Sequence, residues 1–142
     1  MCVQAGSIND GLRWDSVAYQ KHIRRVSKRK WDRSIAKAET AVPSSSSQYN
    51  PHLSEQQIEC LEMRCARGEI GFRVSQSERT ETFFARVDIG THVGVSGGEH
   101  TDYLFVVKQG SMVHGYPIHR GDLISRKRAK VSDVNASPSQ PC

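Results

Sequence analysis

Histidine moves protons near neutral pH more readily than any other side chain, and five of the six in this chain, His52, His92, His100, His114 and His119, lie beyond position 50. One imidazole can take the proton of a ribose 2′-hydroxyl while a second returns a proton to the departing 5′-oxygen. A neighbouring guanidinium or ammonium stabilises the negative charge that builds on the phosphorane, and no metal is needed. The residues that fit these roles are His100 beside Glu99, His114 within a strand-like run, His119 followed by Arg120, and Arg86. Each also has an ordinary structural use. His114 can pack on Phe105, His119 and Arg120 can close a turn, and Arg86 can pair with Asp88. Other chemistries lack their residues: Gly90 to Gly98 has neither the Lys-Ser/Thr nor the helix of a phosphate loop, and HExxH, GxSxG and a paired-carboxylate motif are missing.

A second set of residues suits binding. The net charge of +5 is concentrated between Arg13 and Thr40, where nine Lys or Arg stand against three acids, leaving about −1 for the rest. Lys21, Arg24, Arg25, Lys28, Arg29, Lys30 and Arg33 would form a basic helical face, and neutralising phosphates releases counterions, so RNA or another nucleic acid is the expected partner. A solvated helix is the plainer use of the same charges. Trp31 would either stack on a base or anchor this helix to the core. Tyr103 and Tyr116 are the aromatic candidates on the sheet.

Elements able to hold these side chains are legible. Thr101 to His119 reads as a β-hairpin turning at Gln109-Gly110, with Tyr103, Phe105, Val107, Met112, His114 and Tyr116 on one face and Leu104, Val106 and Val113 on the other. The pairing expected from that turn sets Lys108 against Ser111, Val107 against Met112, Phe105 against His114 and Tyr103 against Tyr116. Ser54-Glu-Gln-Gln57 is a capping box opening a helix that Gly68 ends. Ile70, Phe72 and Val74, then Phe83, Ala85 and Val87, alternate as an antiparallel strand pair around a Ser77-Glu-Arg turn. Asp15 or Ser16 would cap a helix running to about Glu39, with a break near Ser27. The fold class expected is α+β, with N-terminal helices followed by a four- to five-stranded antiparallel sheet.

The 142 residues then divide into a flexible N-terminus (1–12), a basic helical segment (13–41), a Ser-rich linker (42–49), an α+β core (50–124) and a disordered polar tail (125–142). No apolar run is long enough to span a bilayer and no charged-then-apolar leader opens the chain, which predicts a cytoplasmic protein without membrane partners. Cys60 and Cys65 lie about 140° apart on their predicted helix. With no CxxC or zinc-type spacing among Cys2, Cys60, Cys65 and Cys142, reduced thiols and neither metal nor cofactor are expected.

Helices followed by an antiparallel meander, with histidines and basic residues late in the chain, resemble the barnase/colicin/RelE-type ribonuclease toxins over about 50–124. The resemblance implies a metal-independent endoribonuclease in which some of Arg86, His100, His114, His119 and Arg120 supply acid/base and phosphate roles. An inhibitor or immunity protein is the second partner expected of a toxin of this kind. The chain departs from the family in lacking a clear catalytic glutamate placed with a histidine, Glu99-His100 being the nearest pair. The alternative reading is a non-enzymatic nucleic-acid- or protein-binding module, such as a phage or mobile-element accessory protein.

Overall fold

The computed structural model describes residues 10–36 and 47–140. Its elements are β1 (Arg13–Trp14), α1 (Ser16–Gln20), α2 (Lys28–Ala36), β2 (Gln48–Tyr49), α3 (Glu55–Ala66), β3 (Phe72–Gln76), β4 (Thr80–Arg86), β5 (Gly94–Ser96), β6 (Glu99–Thr101), β7 (Tyr103–Gln109), β8 (Met112–Ile118), α4 (Arg120–Ser125) and α5 (Val131–Val134). The architecture is α+β: N-terminal helices, then a five-stranded sheet in the order β1-β8-β7-β4-β3, antiparallel apart from the β1–β8 pair, and a small sheet β2-β5-β6. No helix among the described residues is long and apolar enough to cross a membrane.

Local signals act where they were read. Ser54 caps α3, its hydroxyl accepting from the Gln57 amide while the Gln57 side chain accepts from the Ser54 amide, and Gly68 follows at φ +75°. The N-terminal helical segment breaks before Ser27 into α1 and α2, with Asp15 capping the first. Only its part up to Ala36 lies within the described residues, as does only the end of the Ser-rich linker, where Gln48 and Tyr49 already pair with β5. The flexible N-terminus falls outside them up to position 9.

The long hairpin turns one residue later than its sequence suggests. Gly110-Ser111 is the loop, with Gly110 at φ +60°, and Gln109 pairs with Met112. A glycine in the first central position is what a type II′ turn needs. Partners consequently move by two, to Val107↔His114, Phe105↔Tyr116 and Tyr103↔Ile118, and a shift of two leaves every side chain on its expected face.

Both faces of the sheet are covered. Leu104, Val106, Val113, Phe83 and Ala85 meet Ile58, Leu61 and Cys65 of α3, while Phe84, Tyr103, Phe105 and Ile118 meet Leu123, Ala129 and Val134. That second cover corrects the disordered tail. Residues 125–140 carry α5 and return to β4 through a Val87↔Ser139 bridge. Leu123 and Val134 are fully buried, each side chain stabilising by roughly 1.5–3 kcal/mol, and so few apolar residues in a polar stretch leave little trace in composition. The expectation of reduced thiols is also corrected: Cys60 is disulfide-bonded, whereas Cys65 is free, buried, and its thiol pKa is pushed up by that burial.

Glu62 sits in the centre of the first layer, 1% exposed. Its carboxylate accepts from Trp14 Nε1 at 2.9 Å, from the Tyr49 hydroxyl at 2.5 Å and from the Gly115 amide, so α3 is tied to β1, β2 and β8. Burial pushes its pKa up to about 7, and the Tyr49 and Trp14 donors pull against that rise. A folded-state pKa above the unfolded value means that the contribution is complete below the unfolded pKa and is lost as pH rises through the folded one. Stability should thus decline between about pH 4.5 and 7, by roughly 3 kcal/mol. Urea unfolding at pH 5, 6, 7 and 8 measures this, and Glu62→Gln should flatten the profile; an equal slope in the variant would count against the assignment.

Candidate functional site

The Gly97-Gly98 turn joins β5 to β6, with both glycines at positive φ. Counting outward from it, Ser96 pairs with Glu99, Val95 with His100 and Gly94 with Thr101, and His92 and Asp102 lie just beyond the last pair, at the base of this small hairpin. Their backbones are held. Asn50 Nδ2 donates to the His92 carbonyl at 3.0 Å, and buried Thr101 ties the bend before β7 by donating to the Ile118 carbonyl at 2.6 Å. His92 Nδ1 lies 2.7 Å from Asp102 Oδ1. An ionised carboxylate only accepts, so Nδ1 donates and Nε2 keeps its lone pair.

This pair forms the wall between two clefts. The first, of about 500 Å³, is lined by His92, Glu99, His100, Asp102, Tyr103, His119 and Arg120 among others. The second, of about 410 Å³, is lined by Arg86, Val87, Asp88, Gly90, Thr91, His92, Asp102 and Pro138. Four of the five sequence-predicted chemical residues, Arg86, His100, His119 and Arg120, therefore gather around His92 and Asp102. The fifth, His114, does not line either cleft. It stands half-buried opposite Val107 on β8, near His22, whose pKa is lowered by burial and, less, by His114 and Lys21.

The gathered residues differ in what they can do. His119 caps α4: its Nδ1 accepts from the Asp122 amide at 3.2 Å, so the proton resides on Nε2, 3.4 Å from Asp122 Oδ2, and Glu99 Oε2 is 3.7 Å from the ring. Arg120 is held by Asn135 Oδ1 at 2.8 Å, a neutral partner that leaves its charge available. Arg86 lies over the Tyr103 ring at 5.8 Å. His100 stacks on His92 with ring centroids 5.4 Å apart, and burial followed by the His92 charge lowers its pKa.

Ser34 Oγ is 3.0 Å from His100 Nε2, a separation that would suit a nucleophile and its base. The geometry says otherwise. Ser34 is 4% exposed and its one proton goes to the Trp31 carbonyl at 2.8 Å, so His100 is the donor and the contact docks α2. Trp31 completes that docking, buried at 2% exposure with its ring edge-on to His100 at 5.2 Å. Trp31 is consequently an anchor and not a stacking platform. Tyr103 is corrected likewise, being buried with its hydroxyl on the Val134 carbonyl at 2.7 Å. Tyr116 is half-buried, stacked on His22 at 5.7 Å with Lys127 Nζ 5.9 Å from its ring.

Lys21, Arg24, Arg25, Lys28, Arg29, Lys30 and Arg33 are all exposed. Trp31 and Ser34 dock α2 on His100, which is itself one of the residues lining the first cleft. His92 was legible only as one histidine among several, and Asp102 was missed. The available signal was the Gly97-Gly98 turn, since counting pairs outward from it sets position 93 opposite 102 and leaves His92 one residue away. Among the described residues no three His, Cys, Asp or Glu side chains group to hold a metal ion. Comparison of the chain with protein-family models, curated proteins and solved structures returned no match.

Proposed function

We propose that this protein is a metal-independent endoribonuclease whose proton-transfer centre is the His92–Asp102 pair. The observation that carries this reading is an imidazole oriented by a carboxylate at 2.7 Å, on a residue that lines two clefts also holding His119, Arg120 and Arg86. In this reading His92 Nε2 takes the proton of the ribose 2′-hydroxyl as that oxygen bonds to phosphorus. The phosphorus–O5′ bond breaks, and the leaving 5′-oxygen receives a proton from His119 in its imidazolium form, in which Nδ1 gives up the Asp122 amide and faces the Glu99 carboxylate, the ring returning to neutral as it donates. Arg120 and Arg86 offset the phosphorane charge. The products are a 2′,3′-cyclic phosphate and a 5′-hydroxyl, so neither water nor a metal enters the balance. The exposed cations of α2 hold the flanking phosphates.

The test is incubation of the full chain with single-stranded RNA in excess EDTA. RNA should be cut to cyclic-phosphate and 5′-hydroxyl ends, a 2′-deoxy strand of the same sequence should stay intact, and His119→Ala should slow cutting by about 100-fold or more. Intact RNA with the unaltered protein would overturn the proposal. The exposed basic helix favours one second reading, binding without cleavage. In that case RNA remains whole but bound, and neutralising Arg24, Arg25, Lys28 and Arg29 weakens the complex and flattens its salt dependence.

A further inference from the structure

The cleft beyond His92 and Asp102 has no part in proton transfer, yet it shares that pair with the reacting side and has a shape and lining of its own. Its floor is the junction of β4 with the C-terminal segment: the Ser139 amide donates to the Arg86 carbonyl at 2.7 Å, the Asp88 amide to the Ser139 carbonyl at 3.1 Å, and the Val87 amide to the Asp102 carbonyl at 2.9 Å. These bonds make it a rigid concavity. Around the floor stand the Pro138 ring, the Thr91 hydroxyl and the Asp88 carboxylate, whose Oδ1 accepts from the Gly90 amide at 3.2 Å. Its volume of about 410 Å³ lies within the range of small-ligand sites, and its lining is mostly polar, with Val87 and Pro138 as the apolar members.

The order of the proton carriers orients a strand in it. His119, which serves the leaving 5′-oxygen, lines only the first cleft, whereas His92, which serves the 2′-hydroxyl, faces both. The ribose that carries the attacking hydroxyl must lie at His92, and its leaving partner at His119. We infer that the second cleft is the subsite for the nucleoside bearing that hydroxyl, its base lying on Pro138 with polar edges toward Asp88 and Thr91. This rests on the cleavage reading above and specifies its substrate: a base that enters such a cleft is unstacked and unpaired, so the strand is single at the cut.

The experiment uses a DNA strand with one internal ribonucleotide, so that a single phosphodiester can be cut, prepared with the base on that ribose and without it. The full chain should cut the base-bearing strand with a kcat/KM about tenfold higher, the equivalent of about 1.4 kcal/mol of base binding. Thr91→Phe, which fills the cleft from an exposed loop position, should bring the ratio of the two substrates toward one. Equal cutting of both strands by the unaltered protein, or an unchanged ratio in Thr91→Phe, overturns the subsite while leaving cleavage standing. Failure to cut either strand removes the cleavage reading and the subsite with it.

Discussion

Replacing His92 with alanine should slow RNA cleavage by roughly 100- to 10,000-fold, the range that one positioned general base contributes. The side chain is 42% exposed, so its loss should leave the thermal unfolding midpoint nearly unchanged, which separates a lost function from a lost fold. Asp102→Asn is the more discriminating companion. In the proposed mechanism Asp102 is a positioning residue: its carboxylate accepts from His92 Nδ1 and so keeps the lone pair of the neutral ring on Nε2. An amide can present its NH₂ to Nδ1 instead and stabilise the opposite tautomer. That variant should lose activity on the scale of His92→Ala and shift the pH–rate profile, while KM for a short RNA changes little. On the proposed mechanism His114→Ala should stay within about twofold of the unaltered protein, since that side chain lies outside both clefts. Full activity in His92→Ala would remove the proposed base.

The largest stability effect is expected at Glu62. Truncation to alanine leaves the Tyr49 hydroxyl, Trp14 Nε1 and the Gly115 amide facing a cavity without their shared acceptor. Each stranded buried donor costs about 1–3 kcal/mol, so the loss should be roughly 4 kcal/mol in total. That corresponds to a midpoint lowered by on the order of 10–20 °C. Glu62→Gln retains one acceptor oxygen and the tyrosine hydroxyl can turn, so it should cost distinctly less. The comparison is read by urea denaturation at pH 6. An alanine variant within about 1 kcal/mol of the parent would show that the three donors find other partners.

How much of this could be read from the chain follows from the range of the interactions. The α3 capping box, the break before Ser27 and the alternation of β4 and β7 depend on neighbours a few residues away, and they stand as read. The hairpin register missed by two because Gln109-Gly110 and Gly110-Ser111 are both plausible loops, and the choice falls to the pair that puts glycine first at positive φ. The C-terminal segment was misread because two or three buried side chains hold it, and these depend on a sheet face assembled elsewhere. Trp31 is open in the sequence between stacking on a base and anchoring its helix, and Tyr103 stands there as an aromatic candidate for binding; which holds depends on the side of each ring that the fold covers.

The same distinction applies to the candidate site. By itself the sequence determined the inventory of imidazoles and guanidiniums, the basic face of α2, the α+β class and the faces of the long hairpin, because composition and local periodicity specify these. Only the tertiary structure decided which histidines share a cleft. His92 meets Asp102 through a ten-residue excursion around Gly97-Gly98, His119 arrives from the far end of β8, and Pro138 closes the second cleft from a segment with no strong signal of its own. Proton transfer depends on contacts of about 3 Å, and contacts between residues distant in the chain are set by how sheets and covering helices pack, which no short window of sequence contains.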